Sequence, residues 1–358
     1  MTEKYSREEQ DLCPEEQKDR FLLRASLACR GVMSRPEIRR LLAASPGEEP
    51  QDRSSLEAAE SWLSALKEEG IRFLTPELSS WPRRFAGLSD PPEWLFLKGG
   101  LPPEEIPSVS VIGSRDASSY GLRMAEYFSQ ELGRRNVPVI SGLAAGVDCA
   151  AQAAAVTAGG KAYAVLGCGV NICYPAENYE LFRGLSENGE GGVISEYPPD
   201  SPPLKRHFPE RNRLIAALGD ILLVMESRGP KSGSQITVTQ ALDQGKTVFA
   251  LPGRITDPLS KGCNDLIRDG AFILTTPTDL LRYLGIGTDG TENRPEKLRR
   301  RLGRNARVIL SQLKEKPCFP DEIIRKTGLS SGKVMSILLD LEMSGLVTQT
   351  AANCYTVL

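Results

Sequence analysis

VSVIGSRDASSYGLRMAEYFSQELGRR, residues 109–135, opens on a four-residue apolar run, stops at Gly113 and passes into a stretch of helical periodicity. Strand, glycine turn and helix in that order form the first half of a βαβ unit. Ser118 or Ser119 marks the helix start, because a serine hydroxyl accepts from the free amides of a first turn. The order then repeats. VPVISG, KAYAVLG, GGVISEYP, DILLVME, TVFALPG and AFILT are apolar runs of strand length. GVDCAAQAAAVTAGG, a segment near Tyr179–Leu185, RNRLIAALG, SQITVTQALDQG and NDLIRDG are the helical stretches among them. Apolar strands without alternation are buried on both faces, as in a parallel sheet. Roughly seven such strands fit the doubly wound pattern. The expected fold is α/β, an extended Rossmann-like, doubly wound and mostly parallel sheet over residues 96–285.

Both flanks differ from this centre. Residues 1–95 are an N-terminal helical (SAM-like) module and a connector. RFLLRASLACR, RPEIRRLLAA and SSLEAAESWLSALKEEG are its helices, with Pro36 at a helix start and Gly70 at a stop. The proline-rich WPRRFAGLSDPPEWLFLKGGLPPEEIP is extended and packs on the next domain. Residues 286–303 form a polar linker ending in the basic run Arg299–Arg301. Residues 304–358 are a winged-helix domain, with three helices ended by Gly328 and Gly345 and then two short strands. In its third helix Val334, Ile337, Leu338 and Leu341 make an apolar stripe that serves as core. The basic run with Arg304 and Arg307 reads as a solvated linker and helix start ahead of the alternative, a contact with DNA.

The net charge of -2 means that attraction to a polyanion must come from local patches. The chain lacks a run of roughly 18 apolar residues, so no membrane span is expected. The polar N-terminus has no apolar signal core, which implies a cytoplasmic protein. Eight scattered cysteines without a CxxC pair are expected to stay reduced. With His207 the single histidine, a zinc site is disfavoured, and any Ser-His-Asp or Cys-His mechanism would have to use it. No GxGxxG or Walker loop is present. No cofactor and no metal are expected.

In open parallel sheets, ligands bind beyond the carboxyl ends of the strands. Gly113, Ser114 and Arg115 follow the first strand, and Ser141 and Gly142 the second. Gly167 and Tyr174 follow the third, Glu196 the fourth, and Glu226, Ser227 and Ser232-Gly233-Ser234 the fifth. Glycines there admit a ligand to the backbone, and helix N-termini offer amides to anions. LKRHFPERNR (residues 204–213) lies just beyond the Glu196 strand, on the same edge as Arg115. Cations beside an aromatic platform suit single-stranded nucleic acid. The residues alone leave this reading even with another, in which Arg211 and Arg213 pair with carboxylates and Phe208 is core.

These motifs resemble the DNA-processing protein A (DprA, or Smf) family from about Trp81 to Leu281. The resemblance lies in VSVIGSR with YG shortly after, SGLAAGVD, AVLGCGVNICYP, FPERNRLIAAL, ESRGPKSGSQITVTQAL, and FALPG followed by GCNDLI and GA. It implies an extended Rossmann fold and a non-enzymatic protein that binds single-stranded DNA. It also implies that the protein loads the RecA recombinase in transformation and recombination, and forms a homodimer. Arg115, Lys205 and Phe208 match the family's DNA pocket, and Arg211 and Arg213 match its arginines. Gly113, Ser114, Ser141, Gly142 and Asn212 are pocket-wall candidates. The chain departs from the family at Gln152, where a histidine is usual, and in lacking a clear glycine hairpin in the helical module. The rival class is a nucleotide-processing enzyme, a nucleoside-monophosphate glycoside hydrolase using Glu196 and Glu226. It would want a PGGxGTxxE-type segment where this chain has SRGPKSGSQIT.

Overall fold

The computed structural model describes residues 15–29, 35–43, 53–230, 232–287, 304–315, 317–343, 347–349 and 354–357. It divides into two compact units, Met1–Leu280 and Leu281–Leu358. Most of the 286–303 linker, its arginine run, Gly345 and Lys231 lie outside the described residues, as do the side chains of Arg304 and Arg307.

The first unit is built on a nine-stranded sheet. Its strands are β1 (Arg72–Leu74), β2 (Leu95–Gly99), β3 (Val109–Ile112), β4 (Val139–Ser141), β5 (Ala162–Val165), β6 (Gly191–Ser195), β7 (Ile221–Val224), β8 (Thr247–Ala250) and β9 (Phe272–Ile273). They lie in the order β1-β2-β6-β5-β4-β3-β7-β8-β9. The seven strands from β3 onward are mutually parallel, while β1 and β2 join antiparallel at one edge. The parallel strands are apolar without alternation because helices cover both faces. Residues of β2 to β8 and of the helices on the sheet form one continuous apolar core.

The chain leaves β3 through α4 (Ser119–Arg134), then α5 (Val147–Thr157) and α6 (Tyr179–Glu187), filling one half of the sheet as far as β6. Helix α7 (His207–Leu218) then carries it back to β7, on the other side of β3. Helices α8 (Gly233–Asp243) and α9 (Lys261–Arg268) complete the second half. The strand order therefore reverses between β3 and β7, which opens a crevice beyond their carboxyl ends.

The connector does more than pack on the sheet, since it supplies β2, and the segment just before it supplies β1. Strands this short, with prolines nearby, give no periodic signal, which is why the sequence shows only the parallel strands. Helices α1 (Glu15–Cys29), α2 (Arg35–Ala43) and α3 (Arg53–Glu68) attach to this edge. Arg24 bonds Glu77 at 3.0 Å and Glu93 at 2.6 Å. The Trp62 ring meets Phe73 and Phe96 edge-on at 5.8 Å. Gln152 is fully buried on α5, accepting from the Leu143 amide at 3.1 Å and donating to the Tyr163 carbonyl at 2.9 Å. An amide supplies both a donor and an acceptor at that place, as a neutral histidine ring would.

The second unit is a winged helix. Helices Arg304–Glu315, Pro320–Thr327 and Ser331–Met343 precede the antiparallel pair β10 (Val347–Gln349) and β11 (Tyr355–Val357). Gly328 ends the second helix in the left-handed conformation, φ 67°. Val334, Leu338 and Leu341 are fully buried with Ile309, Ile323 and Val347, and Ile337 packs against them. No described helix is long and apolar enough to cross a membrane.

Asp220 clasps connector and sheet together. Its carboxylate accepts from the Ser108 amide at 2.7 Å and from Arg84 at 3.1 Å. Burial pushes the Asp220 carboxyl up, but the Ser108 amide and the Arg84 guanidinium outweigh it and hold the pKa below its ordinary value. A carboxylate whose pKa is lower folded than unfolded contributes stability above the unfolded value and loses it as pH falls through the folded one. Asp220→Asn is therefore expected to lower the urea midpoint at pH 7. The gap to the wild type should close as pH drops below about 4.

Candidate functional site

A cavity of about 600 Å³ lies beyond β3 and β7. Its walls are the turn after β3, the start of α7, the loop after β7 and the start of α8. The turn is pinned from below. The Val147 amide at the start of α5 donates to the Ser114 carbonyl at 3.2 Å. A Cβ at Gly113 would stand 2.5 Å from Val147 Cγ2, so only glycine lets α5 close on this turn. Ser118 then caps α4, accepting from the Gly121 amide at 3.1 Å. Both the amide and the hydroxyl of Ser118 donate to the Glu226 carboxylate, which is 1 % exposed. Glu226 thus ties the β3 turn to the end of β7.

Phe208 stands over this floor. A Cβ at Gly167 would come within 2.9 Å of the Phe208 ring, so the glycine leaves room for it. The Tyr174 ring lies 5.5 Å from that of Phe208, and the Arg115 guanidinium carbon lies 5.4 Å from its centroid, a cation–π contact. Arg115, Lys205 and Arg228 are exposed at the rim, and none of them makes an ion pair or side-chain hydrogen bond with a described residue. Ser227, Ser232 and Ser234 cluster at the start of α8, with hydroxyl oxygens 2.9–3.1 Å apart. The rim therefore joins unneutralised cations, two aromatic faces and hydroxyl donors around one opening.

The floor is charged but already occupied. Arg211 is 4 % exposed and donates to the carbonyls of Gly142, at 3.0 Å, and Val165. Burial pulls its pKa down to about 10, against the pull of Asp148, so it stays charged at neutral pH. Asp148 accepts from the Gly142 amide at 3.1 Å. Burial pushes the Asp148 carboxyl up, with Arg211 opposing. Arg211 thus staples α7 to the ends of β4 and β5 while its flank faces the cavity.

The structure gathers Gly113, Ser114, Arg115, Lys205, Phe208, Arg211 and Asn212 around the cavity. Three other expected site residues stand elsewhere. The Ser141 hydroxyl points into the sheet and donates to the Val111 carbonyl at 2.6 Å. Gly142 lies under the Arg211 guanidinium, where a Cβ would be 2.6 Å from a terminal nitrogen. Arg213 faces the opposite side of α7 and grips Glu196 with two bonds of 2.6 Å. Its Nε also lies 3.2 Å from Asp90. For Arg213 the carboxylate-pairing alternative is the one realised. His207 is buried and stacks on Tyr197 at 3.8 Å, away from the opening. Tyr174, Arg228 and Thr237 are additional lining residues. Tyr174 and the serines were visible in the sequence only as residues after strands, and Arg228 as part of ESRGPKSGS.

A doubly wound sheet with a cationic, aromatic cavity at its switch point, in a chain that also carries a winged helix, defines a Rossmann-type protein with a C-terminal winged-helix domain. The sequence profile of DNA recombination-mediator protein A matches residues 72–285, and that of the DprA winged helix domain matches residues 294–353. The chain belongs to the DNA recombination-mediator protein A family. It is 35% identical to Protein Smf of Escherichia coli (strain K12), over 82% of this chain and 79% of that one. It is 42% identical to the DNA processing protein DprA of Streptococcus pneumoniae, over 56% of this chain and 70% of that one. The crystal structure of DprA from Streptococcus pneumoniae superposes with a TM-score of 0.57 at 32% identity, covering 75% of this chain and 95% of that one. DprA from Helicobacter pylori, a protein described for its single-stranded DNA binding mode, gives 0.54 at 29% identity, covering 60% and 95%.

The geometry separates two kinds of arginine. The Arg213 and Glu196 side chains are 5% and 9% exposed, so Arg213→Ala removes two charge-assisted bonds from a buried carboxylate. It should cost about 3–5 kcal/mol in urea unfolding. Arg115→Ala removes an exposed side chain and should stay within about 0.5 kcal/mol of the wild type.

Proposed function

We propose that this chain binds single-stranded DNA in the β3/β7 cavity and hands it to the RecA recombinase, without chemistry of its own. The observation that supports this most is the Arg115 guanidinium packed over Phe208, with Tyr174 across the ring and Lys205 and Arg228 exposed beside them. A phosphate needs an unneutralised cation, and an unpaired base needs an exposed π face. One opening offers both. Stacking contributes about 1–3 kcal/mol per base, and a duplex cannot present a base in this way without unpairing it. Arg115 and Lys205 hold phosphates, Phe208 and Tyr174 stack bases, and Ser114, Asn212 and the α8 serines complete the polar wall. Arg211 supports the floor, and Arg213 acts only through the fold.

The glycoside-hydrolase alternative requires carboxylates directed at a substrate. Glu196 is engaged by Arg213, and Glu226 by the amide and hydroxyl of Ser118. Both are committed to structure, which supports the binding reading. The family's description as a recombination mediator supports the step to RecA. The same reading gives a homodimer acting in the cytoplasm, where DNA taken up by the cell or processed for recombination meets RecA. It leaves the winged helix without a sequence-specific duplex role.

Salt-titrated binding of single-stranded and duplex oligonucleotides of equal length tests the reading. Single strands are expected to bind more tightly, with affinity falling steeply as salt rises. Arg115→Ala and Lys205→Ala should each weaken binding about tenfold or more, as the loss of a charge-assisted phosphate contact implies. They should also slow RecA nucleation on the strand. Equal binding of duplex and single strand, or wild-type affinity in both folded variants, contradicts it.

A further inference from the structure

The loop between β8 and α9 presents an isoleucine to water. Ile255 is 95% exposed, the highest value among the exposed large apolar residues described. Arg254 beside it is also exposed and makes no ion pair or side-chain hydrogen bond with a described residue. Single exposed apolar residues are ordinary on slack surfaces. This loop, however, is tethered at several points. The Gly253 amide donates to Asn264 Oδ1 at 3.2 Å, and Asn264 Nδ2 donates back to the Gly253 carbonyl at 3.0 Å. The Tyr120 hydroxyl donates to the Pro252 carbonyl at 2.9 Å. The Asp257 amide donates to the Arg254 carbonyl at 3.0 Å, closing a turn with Ile255 inside it. The Leu259 amide donates to Asp257 Oδ1 at 3.0 Å. A turn held this firmly fixes the isoleucine outward.

Its place is on the edge that carries the cavity. The Ser227 amide donates to the Leu259 carbonyl, and the Gly262 amide to the Ser227 carbonyl, both at 2.8 Å. Ser227 and Arg228 line the cavity. Because β8 pairs with β7 and β7 with β3, the turn lies two strand spacings, about 10 Å, along the edge from the Arg115 turn. The exposed cations Arg115, Arg228 and Arg254 thus follow one another across the β3, β7 and β8 ends.

We propose that the Arg254–Ile255 turn is a second contact point for the strand held in the cavity. Arg254 takes a phosphate, and Ile255 lies against the face of an unstacked base or between two bases. Side chains of this kind wedge between bases where stacking is open, and a single strand already presents its bases unpaired. The proposal rests on the cavity being a single-stranded DNA site, and it extends that site toward β8.

The test uses the full chain, with oligothymidines of about 4 and about 16 nucleotides followed by fluorescence anisotropy. Ile255→Ser should leave the short strand's affinity unchanged and weaken the longer strand about fivefold. Arg254→Ala should reduce the salt slope for the longer strand by about 0.7, the share of one phosphate contact on a single strand. Equal losses at both lengths, or no loss at either, overturn the proposal. So does a change in sedimentation with length dependence intact, which would assign Ile255 to contact with a second copy. A wild-type chain that binds neither strand overturns the cavity reading as well. A wild type that favours the longer strand, with variants that do the same, overturns only the role of the turn.

Discussion

Helix α7 is gripped on opposite flanks by its own buried arginines, and the site depends on that grip. Arg211 reaches the carbonyls that end β4 and β5, and Arg213 reaches Glu196 at the end of β6. Breaking a buried charge pair from one side costs several kcal/mol, so the helix has little freedom to roll. The segment before and at its N-terminus, Lys205 to Phe208, is thereby fixed over the crevice between β3 and β7. An ordinary crossover helix becomes one wall of a binding cavity in this way.

The division of labour among cations follows from burial. Charges that hold the fold are engaged by the protein: Arg213 and the half-buried Arg24 by carboxylates, and Arg211 by the carbonyls of Gly142 and Val165. Charges available to a ligand are exposed and make no ion pair with a described residue, as is true of Arg115, Lys205 and Arg228. A chain with a net charge of -2 can therefore hold a polyanion, because what matters is which cations are left unneutralised on one edge.

Much of this was legible in the sequence. The strand-turn-helix order fixes the sheet class, and the switch-point rule locates the edge, so Arg115, Lys205 and Phe208 could be named together. Two residues along a helix turn through about 200°, so Arg211 and Arg213 face opposite ways, but the sequence alone did not say which of them meets the cavity. Arg211 faces the cavity floor while Arg213 faces Glu196. Ser141, at the end of a buried strand, turned inward to a neighbouring carbonyl. Tyr174 sits in an irregular segment after β5, where no periodicity predicts the direction of a side chain. The edge strands β1 and β2 were hidden by their shortness and by surrounding prolines.

Photo-cross-linking tests the central claim most directly. A single strand carrying 5-iodouracil is irradiated with the protein, and the adduct is mapped by mass spectrometry. The account predicts attachment at Phe208 or Tyr174, lost when excess unlabelled single strand competes. Adducts confined to the winged helix or the N-terminal helices, with none on the cavity aromatics, would contradict it.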